Sequence, residues 1–483
     1  MLTLNRPLTV ADIDAIANRG EPVALPPAVL AALAERHQLS QAVAASQPVY
    51  GQTTGVGANK STAVDPADGA HGLRLLRSHA VEAGPALPRP VVRAMLAVRL
   101  AQLAVPGAGL DPAVVEGLAA MLNQDALPTV RRFGGIGTAD LGALAGVGLA
   151  LVGERPTDPP LAQPLASLRA SDALPLMSSS ALTLGQVALS LARLDALAGA
   201  SEVVFALVAA ATQANPQHWS PAAVGAAATP AAEQVAARLV ALLGEPGPDG
   251  PPPPRIQERY GLRAYLLTQA MVRHRQAELT DVVERLINTA QENPLFVPDA
   301  AAPGGGRAVH HAAFFHTQVA QALDAANLAL AATVPLALGR LAHLNEPALT
   351  GLGVFLSEGP AGSSGLMIVE YLAAAAGAEM RASANPVAAG TAILSRGAEE
   401  DATFAPQGAY QLERSLEAWS VMLACELVAG VRLTRLARRA EALPPALAKV
   451  WPAIAHLDTV DGDHDLTPLL AAAGELWPQL AAV

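Results

Sequence analysis

The sequence predicts a mainly helical, all-α protein with a long central helical bundle and a loop-rich N-terminal region. Alanine and leucine dominate, whereas aromatic residues make up only 3% of the 483 residues. Runs of β-branched residues bounded by turns are scarce, which favours helices over strands. Near the C-terminus, apolar residues spaced by three and four positions mark one face of a long helix, namely Leu412, Leu416, Trp419, Leu423, Leu427 and Val431.

Clusters of glycine and proline divide the chain. Residues 153–164 and 244–254 are rich in both, and the second cluster cannot continue a helix. We therefore expect an N-terminal region with the functional loops at 1–153, a central helical bundle at 154–405 and a C-terminal helical region at 406–483.

The composition limits the partners of this protein. A net charge of -11 argues against nucleic acid, which requires basic patches. Because 52% of residues are hydrophobic and only 15% are charged, we expect apolar surface on the isolated chain, which oligomerisation would bury. The apolar runs 141–152 and 328–338 are short and contain glycine or proline, so they predict buried core helices and no membrane contact.

Two features predict the cytoplasm. The N-terminus lacks a basic segment followed by a long apolar run, so export is not expected. Cys425 is the single cysteine, which excludes an intrachain disulfide and a multi-cysteine metal site.

The most informative segment is 134–145, which reads Gly-Gly-Ile-Gly-Thr-Ala-Asp-Leu-Gly-Ala-Leu-Ala. It resembles the cofactor-forming loop of the histidine/phenylalanine/tyrosine ammonia-lyase family, with the cofactor-forming residues changed. In that family an Ala-Ser-Gly tripeptide cyclises to methylidene-imidazolone (MIO). Glycine supplies an unhindered attacking nitrogen, and serine loses its β-hydroxyl to give the methylidene. This chain has neither that serine nor that glycine.

Matching Asp140 to the family requires a deletion of one residue, which can be placed in two ways. If Thr138 and Ala139 are what remains of the tripeptide, the alanine has no leaving group and MIO cannot form. If the deletion lies earlier, Gly137, Thr138 and Ala139 are the tripeptide, and Thr138 could dehydrate to an ethylidene analogue. We prefer the first placement, because ring closure needs a compressed loop that a deletion disturbs.

The resemblance extends along most of the chain in several separate motifs. The clearest is 255–263, Arg-Ile-Gln-Glu-Arg-Tyr-Gly-Leu-Arg, which is similar to the family's Arg-Val-Gln-Asp-x-Tyr-Ser-Leu-Arg. Other matching segments are 50–57, 78–80, 292–295, 315–318, 364–368 and 399–401. The family's Asn-Gly-Thr triplet should fall near residues 182–186, which contain no asparagine.

The resemblance implies a role for several residues. Tyr50 matches the catalytic base, and its pKa would have to be lowered by a cation or a helix N-terminus. Arg263 matches the arginine that binds the substrate carboxylate. His79 and Phe315 match residues that contact the substrate. Gln257 and Tyr260 would lie in the same pocket as Arg263, and Tyr260 would be catalytic. Glu400 would orient the substrate amine or transfer a proton.

Structural interpretations compete with these roles. Arg263 could instead be an ion-pair partner of Glu258, and 399–401 could be a solvated acidic patch. For His310, His311 and His316 we favour a surface location over a metal site, because no matching ligand spacing accompanies them. No metal is expected. The glycines of 50–57 are not followed by the Lys-Ser/Thr of a phosphate loop.

Three hypotheses follow. The leading one is an enzyme of this fold that works without MIO or any other cofactor and performs tyrosine-assisted β-elimination, or its reverse, on a small carboxylate or aromatic acyl substrate. The second is a catalytically silent scaffold or binding homologue. The third is an ammonia-lyase with a prosthetic group made from 137–139. The family resemblance implies a homotetramer.

Overall fold

A computed structural model describes residues 1–65, 68–245, 253–459 and 462–483. Helices dominate it, which confirms the predicted fold class. In chain order the helices are α1 Val10–Asn18, α2 Pro27–Ser46, α3 His71–His79, α4 Arg89–Leu103, α5 Pro112–Asn123, α6 Leu141–Leu151, α7 Ala170–Met177, α8 Ala181–Thr212, α9 Pro221–Ala227, α10 Pro230–Leu243, α11 Tyr260–Arg263, α12 Tyr265–Ile287, α13 Thr317–Leu344, α14 Pro347–Thr350, α15 Met367–Ala382, α16 Ala405–Leu436, α17 Pro445–Ile454, α18 Thr467–Gly474 and α19 Trp477–Ala481.

The strands are short and pair two by two. They are β1 Leu2–Thr3, β2 Val23–Ala24, β3 Ala83–Ala86, β4 Leu127–Pro128, β5 Arg131–Phe133, β6 Thr157–Asp158, β7 Leu295–Pro298 and β8 Gly306–Val309. β1 pairs with β2 in parallel, and β3–β5, β4–β6 and β7–β8 are antiparallel. Short 3₁₀ turns are at Gly57–Asn59, Pro216–Trp219, Pro303–Gly305, Val354–Leu356, Val387–Ala389, Ser395–Gly397, Ala440–Ala442 and Ala455–Leu457.

The long helix predicted near the C-terminus is α16. All six residues of its predicted apolar face are at most 2% exposed. Burial of such a continuous apolar face is the main source of helix stability in a protein interior. The spacing argument is therefore confirmed.

The two apolar runs predicted as core helices differ in burial. Helix α6 is almost entirely buried, as predicted. Helix α13 contains the run 328–338, but Leu328 is 62% exposed and Pro335 is also exposed. The prediction of a buried core helix therefore holds for only part of α13, because apolar residues also occur on its exposed face.

Two helical stretches, Ala170–Thr212 and Thr317–Leu344, are long and apolar enough to cross a membrane by length and composition alone. In their most apolar parts, 83% and 44% of the residues respectively are buried within the protein. A mostly buried apolar helix is also what the core of a helical bundle contains.

The chain forms two compact units, each built from three segments. Unit 1 contains residues 1–192, 279–323 and 386–410, and unit 2 contains 193–278, 324–385 and 411–483. These units do not coincide with a division at 153 and 405. The glycine- and proline-rich stretch 153–164 lies between helices α6 and α7. In the second stretch, 244–254, residues 246–252 lie outside the described part of the chain.

Each unit has a buried ion pair in its core. In unit 1, Arg99 lies 2.8 Å from Glu292, and both side chains are fully buried. In unit 2, Arg340 donates to both carboxylate oxygens of Glu426 at 2.8 Å. Burial of a charge is costly unless it is paired and hydrogen-bonded, which explains why each cation has its carboxylate.

Candidate active site

Four of the residues singled out in the sequence, Tyr50, His79, Thr138 and Ala139, line a cleft of about 310 Å³ in unit 1. This is the size of a small-molecule site. Its polar wall consists of Tyr50, Asn59, His79, Thr138, Ser178, Asn293, Ser395 and Glu399, and its apolar wall includes Val56, Ala139, Leu141, Leu174, Met177 and Phe314. Among the described residues, no arginine or lysine lines this cleft.

A second cleft, of about 330 Å³, lies in unit 2 between Trp219, Leu243 and Arg439. It contains none of the predicted site residues. We assign the candidate active site to the cleft of unit 1, because titratable groups and the altered loop converge there.

Tyr50 is half-buried and held from two directions. Its phenolic oxygen accepts a hydrogen bond from the backbone N–H of Gly57 at 2.7 Å. The edge of its ring meets His310 with centroids 6.4 Å apart, and its backbone N–H donates to His310 Nε2 at 3.4 Å. The side chain is thus oriented before any ligand binds.

The pKa of Tyr50 is raised above its usual value, which corrects the expectation that it is lowered. Burial is the largest cause, and the negative charge of Glu399 adds to it. The hydrogen bond from the N–H of Gly57 lowers the pKa of Tyr50, but by less than burial and Glu399 together raise it. Tyr50 is therefore a proton-bearing phenol at neutral pH.

His79 is the last residue of α3 and lies on the cleft wall. Its Nδ1 contacts the carbonyl oxygen of Leu75 at 2.9 Å and the hydroxyl of Ser78 at 3.0 Å. These contacts fix the ring at the helix end. The location agrees with the role of substrate contact that the resemblance implies.

The altered loop is fixed by residues 403–410, at the start of α16. The hydroxyl of Thr403 donates to the carbonyl of Gly137 at 3.1 Å, and the N–H of Phe404 donates to the carbonyl of Ile136 at 2.9 Å. Gln407 and Tyr410 hold the carbonyls of Gly135 and Arg132, at 3.2 and 3.0 Å. Backbone carbonyls of this loop and of Arg132 before it are thus all hydrogen-bonded to the segment that begins α16.

Two residues of the loop have left-handed backbone. Gly137 has φ +91°, and a Cβ there would lie 2.0 Å from the hydroxyl of Thr403, so only glycine fits. Ala139 has φ +81°, a conformation that glycine adopts freely and alanine does not. Ala139 thus occupies a glycine-type position directly before Asp140, which favours the placement that sets 137–139 against the tripeptide. Our preferred placement is therefore not the one that the backbone supports.

Asp140 anchors the loop to the first turn of α8. Its carboxylate accepts from the N–H and the hydroxyl of Thr183 at 2.8 and 3.0 Å, and its own N–H donates to the carbonyl of Ser179 at 2.7 Å. The side chain is buried, and burial raises the pKa of Asp140 to about 6 in spite of these bonds. Unpaired N–H groups at a helix N-terminus favour such a carboxylate.

Two sequence-based assignments miss the cleft by one residue. Glu399 lines it, whereas Glu400 is exposed and does not. Phe314 lines it, whereas Phe315 does not. Residues 182–186, where the family's Asn-Gly-Thr triplet would fall, lie in the buried first turns of α8, and Ser178 of the preceding segment lines the cleft. Pairs of identical neighbours, such as the two glutamates and two phenylalanines, gave no signal to choose between them.

Gln257, Tyr260 and Arg263 lie in unit 2 and are not part of the cleft lining described for unit 1. Gln257 is exposed, Tyr260 is 66% exposed, and the guanidinium of Arg263 lies 4.5 Å from the centre of the Tyr260 ring. Glu258 pairs with Arg255 at 2.8 Å. The alternative of an Arg263–Glu258 ion pair is therefore wrong, and within the described residues Arg263 has no carboxylate partner.

The three histidines of 310–316 differ in location. His310 is exposed and contacts Tyr50, and His311 is half-buried. His316 is only 1% exposed, and burial lowers its pKa to about 4. The predicted surface location was therefore wrong for His316, which is a neutral core residue.

Comparison with known proteins agrees with this fold. The solved structure of tyrosine aminomutase from Streptomyces globisporus superposes with a TM-score of 0.90 at 24% identity, covering 99% of this chain and 97% of that one. Ergothionase, an ergothioneine-degrading enzyme from Treponema denticola, superposes with a TM-score of 0.89 at 20% identity, covering 99% of both chains. These similarities show that this chain has the same fold as both enzymes.

The sequence defines the family. Histidine ammonia-lyase from Streptomyces coelicolor is 30% identical to this chain over 488 residues, which span 96% of this chain and 94% of the relative. The family model for aromatic amino acid lyases matches residues 8–456. The chain belongs to the aromatic amino acid lyase family.

Proposed function

We propose that this protein is a lyase that works without MIO or another cofactor and catalyses β-elimination, or the reverse addition, on a small carboxylate or aromatic acyl substrate. Tyr50 transfers a proton in the cleft. The observation that carries this proposal is the combination of an altered loop with a retained and oriented Tyr50 at 2.7 Å from Gly57. A group that departs as hydroxide with acid assistance needs no electrophile to activate it.

The residues of the loop do not fit the MIO group. The first residue of the tripeptide would be Gly137, where an alanine would collide with Thr403. The nitrogen that must attack belongs to Ala139, whose Cβ hinders the approach that glycine permits. Ring closure would also remove the carbonyl oxygen of Gly137, which accepts the hydrogen bond from Thr403. These three features support a cofactor-free reaction.

A second candidate is an aromatic amino acid ammonia-lyase whose prosthetic group forms from Gly137, Thr138 and Ala139. One observation favours it. The left-handed Ala139 follows directly on Thr138, which faces the cleft with a β-hydroxyl that could leave as water. The similarity to a relative named histidine ammonia-lyase is compatible with this candidate.

Substrate binding is part of the proposal. In the cleft of unit 1, His79 and Phe314 contact the side-chain end of the substrate. Separately, Arg263 of unit 2, together with Gln257 and Tyr260, forms a carboxylate-binding group. An arginine fork matches a carboxylate geometrically, and Arg263 has no competing carboxylate among the described residues.

We further propose a homotetramer in the cytoplasm. Exposed apolar residues on α13 and α15, including Leu328, Ile368 and Tyr371, support self-association because such side chains need cover. The single cysteine, Cys425, is buried and free, as is common in a reducing compartment.

A substrate panel tests the activity. The purified protein is incubated with aromatic and imidazole 2-amino, 2-hydroxy and 3-hydroxy acids, and the α,β-unsaturated acid is followed by its absorbance. We expect turnover of at least one hydroxy acid, its loss in Tyr50→Phe, and retention in Tyr371→Phe as a matched control. Binding of these acids without any product would contradict the proposal and favour a silent binding homologue. Undiminished activity of Tyr50→Phe would exclude Tyr50 as the proton-transfer residue.

A further inference from the structure

Glu399 is a carboxylate that this chain places on the cleft wall together with Tyr50. It is half-buried, whereas the adjacent Glu400 is exposed and outside the lining. Residues 399–401, Glu-Glu-Asp, resemble the family's Gln-Glu-Asp segment, whose first residue is glutamine. The carboxylate at 399 is therefore a departure of this chain, in the same cleft as the altered loop.

The backbone around Glu399 is closely defined. Leu394 and Glu399 exchange backbone hydrogen bonds, with N···O distances of 2.8 and 3.3 Å. The turn between them is left-handed at Ser395, Arg396 and Gly397, with φ of +50°, +57° and +81°. This tight turn lets both Ser395 and Glu399 face the cleft.

The turn is joined to the loop of Tyr50. The hydroxyl of Ser395 accepts a hydrogen bond from the backbone N–H of Ala58 at 3.0 Å. Ala58 follows Gly57, the residue whose N–H donates to the phenolic oxygen of Tyr50. Glu399 and Tyr50 are thus held in one cleft by one connected set of hydrogen bonds.

The charge of Glu399 acts on Tyr50. It raises the pKa of the phenol, in addition to the larger effect of burial. The N–H of Gly57 occupies a lone pair of the phenolic oxygen, so the proton of Tyr50 remains available to donate into the cleft. The other titratable groups that face this pair are His79 on the cleft wall and His310 at the edge of the Tyr50 ring.

We infer that Glu399 is the base and Tyr50 the acid of the cleft. This inference rests on the proposed function and assigns its proton transfers. Glu399 removes the proton from Cβ of the substrate, and the electron pair of that C–H bond becomes the Cα=Cβ double bond. The leaving group departs from Cα with the bonding pair and takes the proton of Tyr50. The proton on Glu399 then passes to the Tyr50 phenolate, which restores both groups, and addition follows the same steps in reverse.

The pairing can be tested without a substrate. The chain has five tyrosines, so incorporation of a fluorinated tyrosine gives few ¹⁹F NMR signals, and the one missing in Tyr50→Phe belongs to Tyr50. We expect Glu399→Gln to lower the pKa of Tyr50, because a negative charge near the phenol is removed. Glu35→Gln, the same substitution at an exposed site of unit 1, is the matched control and should leave the Tyr50 titration unchanged.

Turnover of an active acid from the panel tests the catalytic role. We expect Glu399→Gln to lower kcat by about 100-fold or more, the usual contribution of a general base, while Glu399→Asp retains part of the activity. The inference is overturned if Glu399→Gln leaves the pKa of Tyr50 unchanged. It is also overturned if Glu400→Gln loses turnover while Glu399→Gln keeps full activity.

The two proposals fail in different ways. If Glu399→Gln shifts the Tyr50 titration but no acid is turned over by the unmodified protein, the proposed lyase activity is wrong and the assignment of base and acid is overturned with it, although the two groups are coupled. If turnover is found and Glu399→Gln retains it in full, the lyase activity stands and only the role of Glu399 is wrong.

Discussion

The phenolic oxygen of Tyr50 and the backbone N–H of Gly57 are 2.7 Å apart, within hydrogen-bond distance and seven residues apart in sequence. This bond folds the glycine-rich loop back on itself. The next residue, Ala58, then donates to Ser395. The loop, the tyrosine and the turn that carries Glu399 therefore depend on one another.

Gly57→Ala tests this dependence. Gly57 has φ +56°, and a Cβ would lie 2.5 Å from the hydroxyl of Ser395. We expect the loop to shift, the hydrogen bond to Tyr50 to weaken and the pKa of Tyr50 to rise further, because the N–H that favours the phenolate is withdrawn. The ¹⁹F titration measures the change.

Gly20→Ala is the matched control for this variant. Gly20 also has a left-handed φ, +70°, but nothing lies within 4 Å of a Cβ there. This substitution adds backbone strain of about 1 kcal/mol without touching the cleft. If the pKa of Tyr50 is the same in Gly57→Ala and in the unmodified protein, the conformation of the loop does not control the pKa of this phenol.

In the altered loop, substitutions at two nearby residues should change the stability of the protein in opposite directions. Ala139→Gly relieves a left-handed alanine and should stabilise the protein by about 1 kcal/mol, reduced by the greater freedom of glycine in the unfolded chain. Gly137→Ala adds a strained residue and a collision with Thr403, and should destabilise it by about 2 kcal/mol or more. Thermal unfolding monitored by circular dichroism measures both. A stabilising Gly137→Ala would contradict the left-handed backbone at this position.

Asp140 predicts a pH dependence of stability. Its pKa is about 6 in the folded protein, against an ordinary value of 3.8, so the folded state binds more protons than the unfolded chain between these values. The stability that the protonated form contributes is complete below about pH 4 and is lost as the pH rises to about 6. The difference between the two pKa values of Asp140 corresponds to about 3 kcal/mol in the free energy of unfolding.

Asp140→Asn should remove the loss of stability that occurs between pH 4 and 6. The unfolding temperature at a series of pH values measures this change. Asp12→Asn is the control, because its pairing with Arg6 lowers the pKa of Asp12 to about 2. The Asp12 contribution is present above about pH 4 and is lost as the pH falls towards 2. An unchanged slope in Asp140→Asn would mean that Asp140 stays ionised throughout.

Arg263→Gln tests the carboxylate site. A charge-assisted hydrogen bond contributes about 1.5–3 kcal/mol, so we expect affinity for cinnamate to fall about 10- to 100-fold. Equilibrium dialysis measures the affinity. Arg259→Gln, an exposed arginine of the same segment, is the control and should bind cinnamate normally. Equal affinities of Arg263→Gln and the unmodified protein would remove Arg263 from the site.

The sequence predicted the parts of this fold that depend on periodicity. The apolar face of α16 follows from residue spacing alone, because a buried helix face repeats every three to four residues. The burial of α6 follows instead from its nearly continuous apolar run. The exposed Leu328 of α13 was not predictable in this way, because an apolar residue can be covered by the same chain or by another copy.

The cleft of unit 1 was predictable to within one residue at several positions, whereas the predicted residues Gln257, Tyr260 and Arg263 are not in its lining. Tyr50 and His79 lie on the cleft, as does the altered loop at Thr138 and Ala139. The choice of Glu399 over Glu400 depends on a left-handed turn at 395–397, in which two of the three residues are not glycine. The left-handed Ala139 is likewise invisible in sequence, because alanine rarely adopts that conformation.

The intact mass of the purified protein, with peptide mapping of residues 133–155 between Arg132 and Arg155, tests the central claim most directly. Cyclisation of the loop would remove two water molecules from this peptide. A cofactor-free lyase has the mass of its unmodified sequence, which is the result we expect. A deficit of two waters located at 137–139 would contradict the cofactor-free reaction and establish a prosthetic group made from Gly137, Thr138 and Ala139.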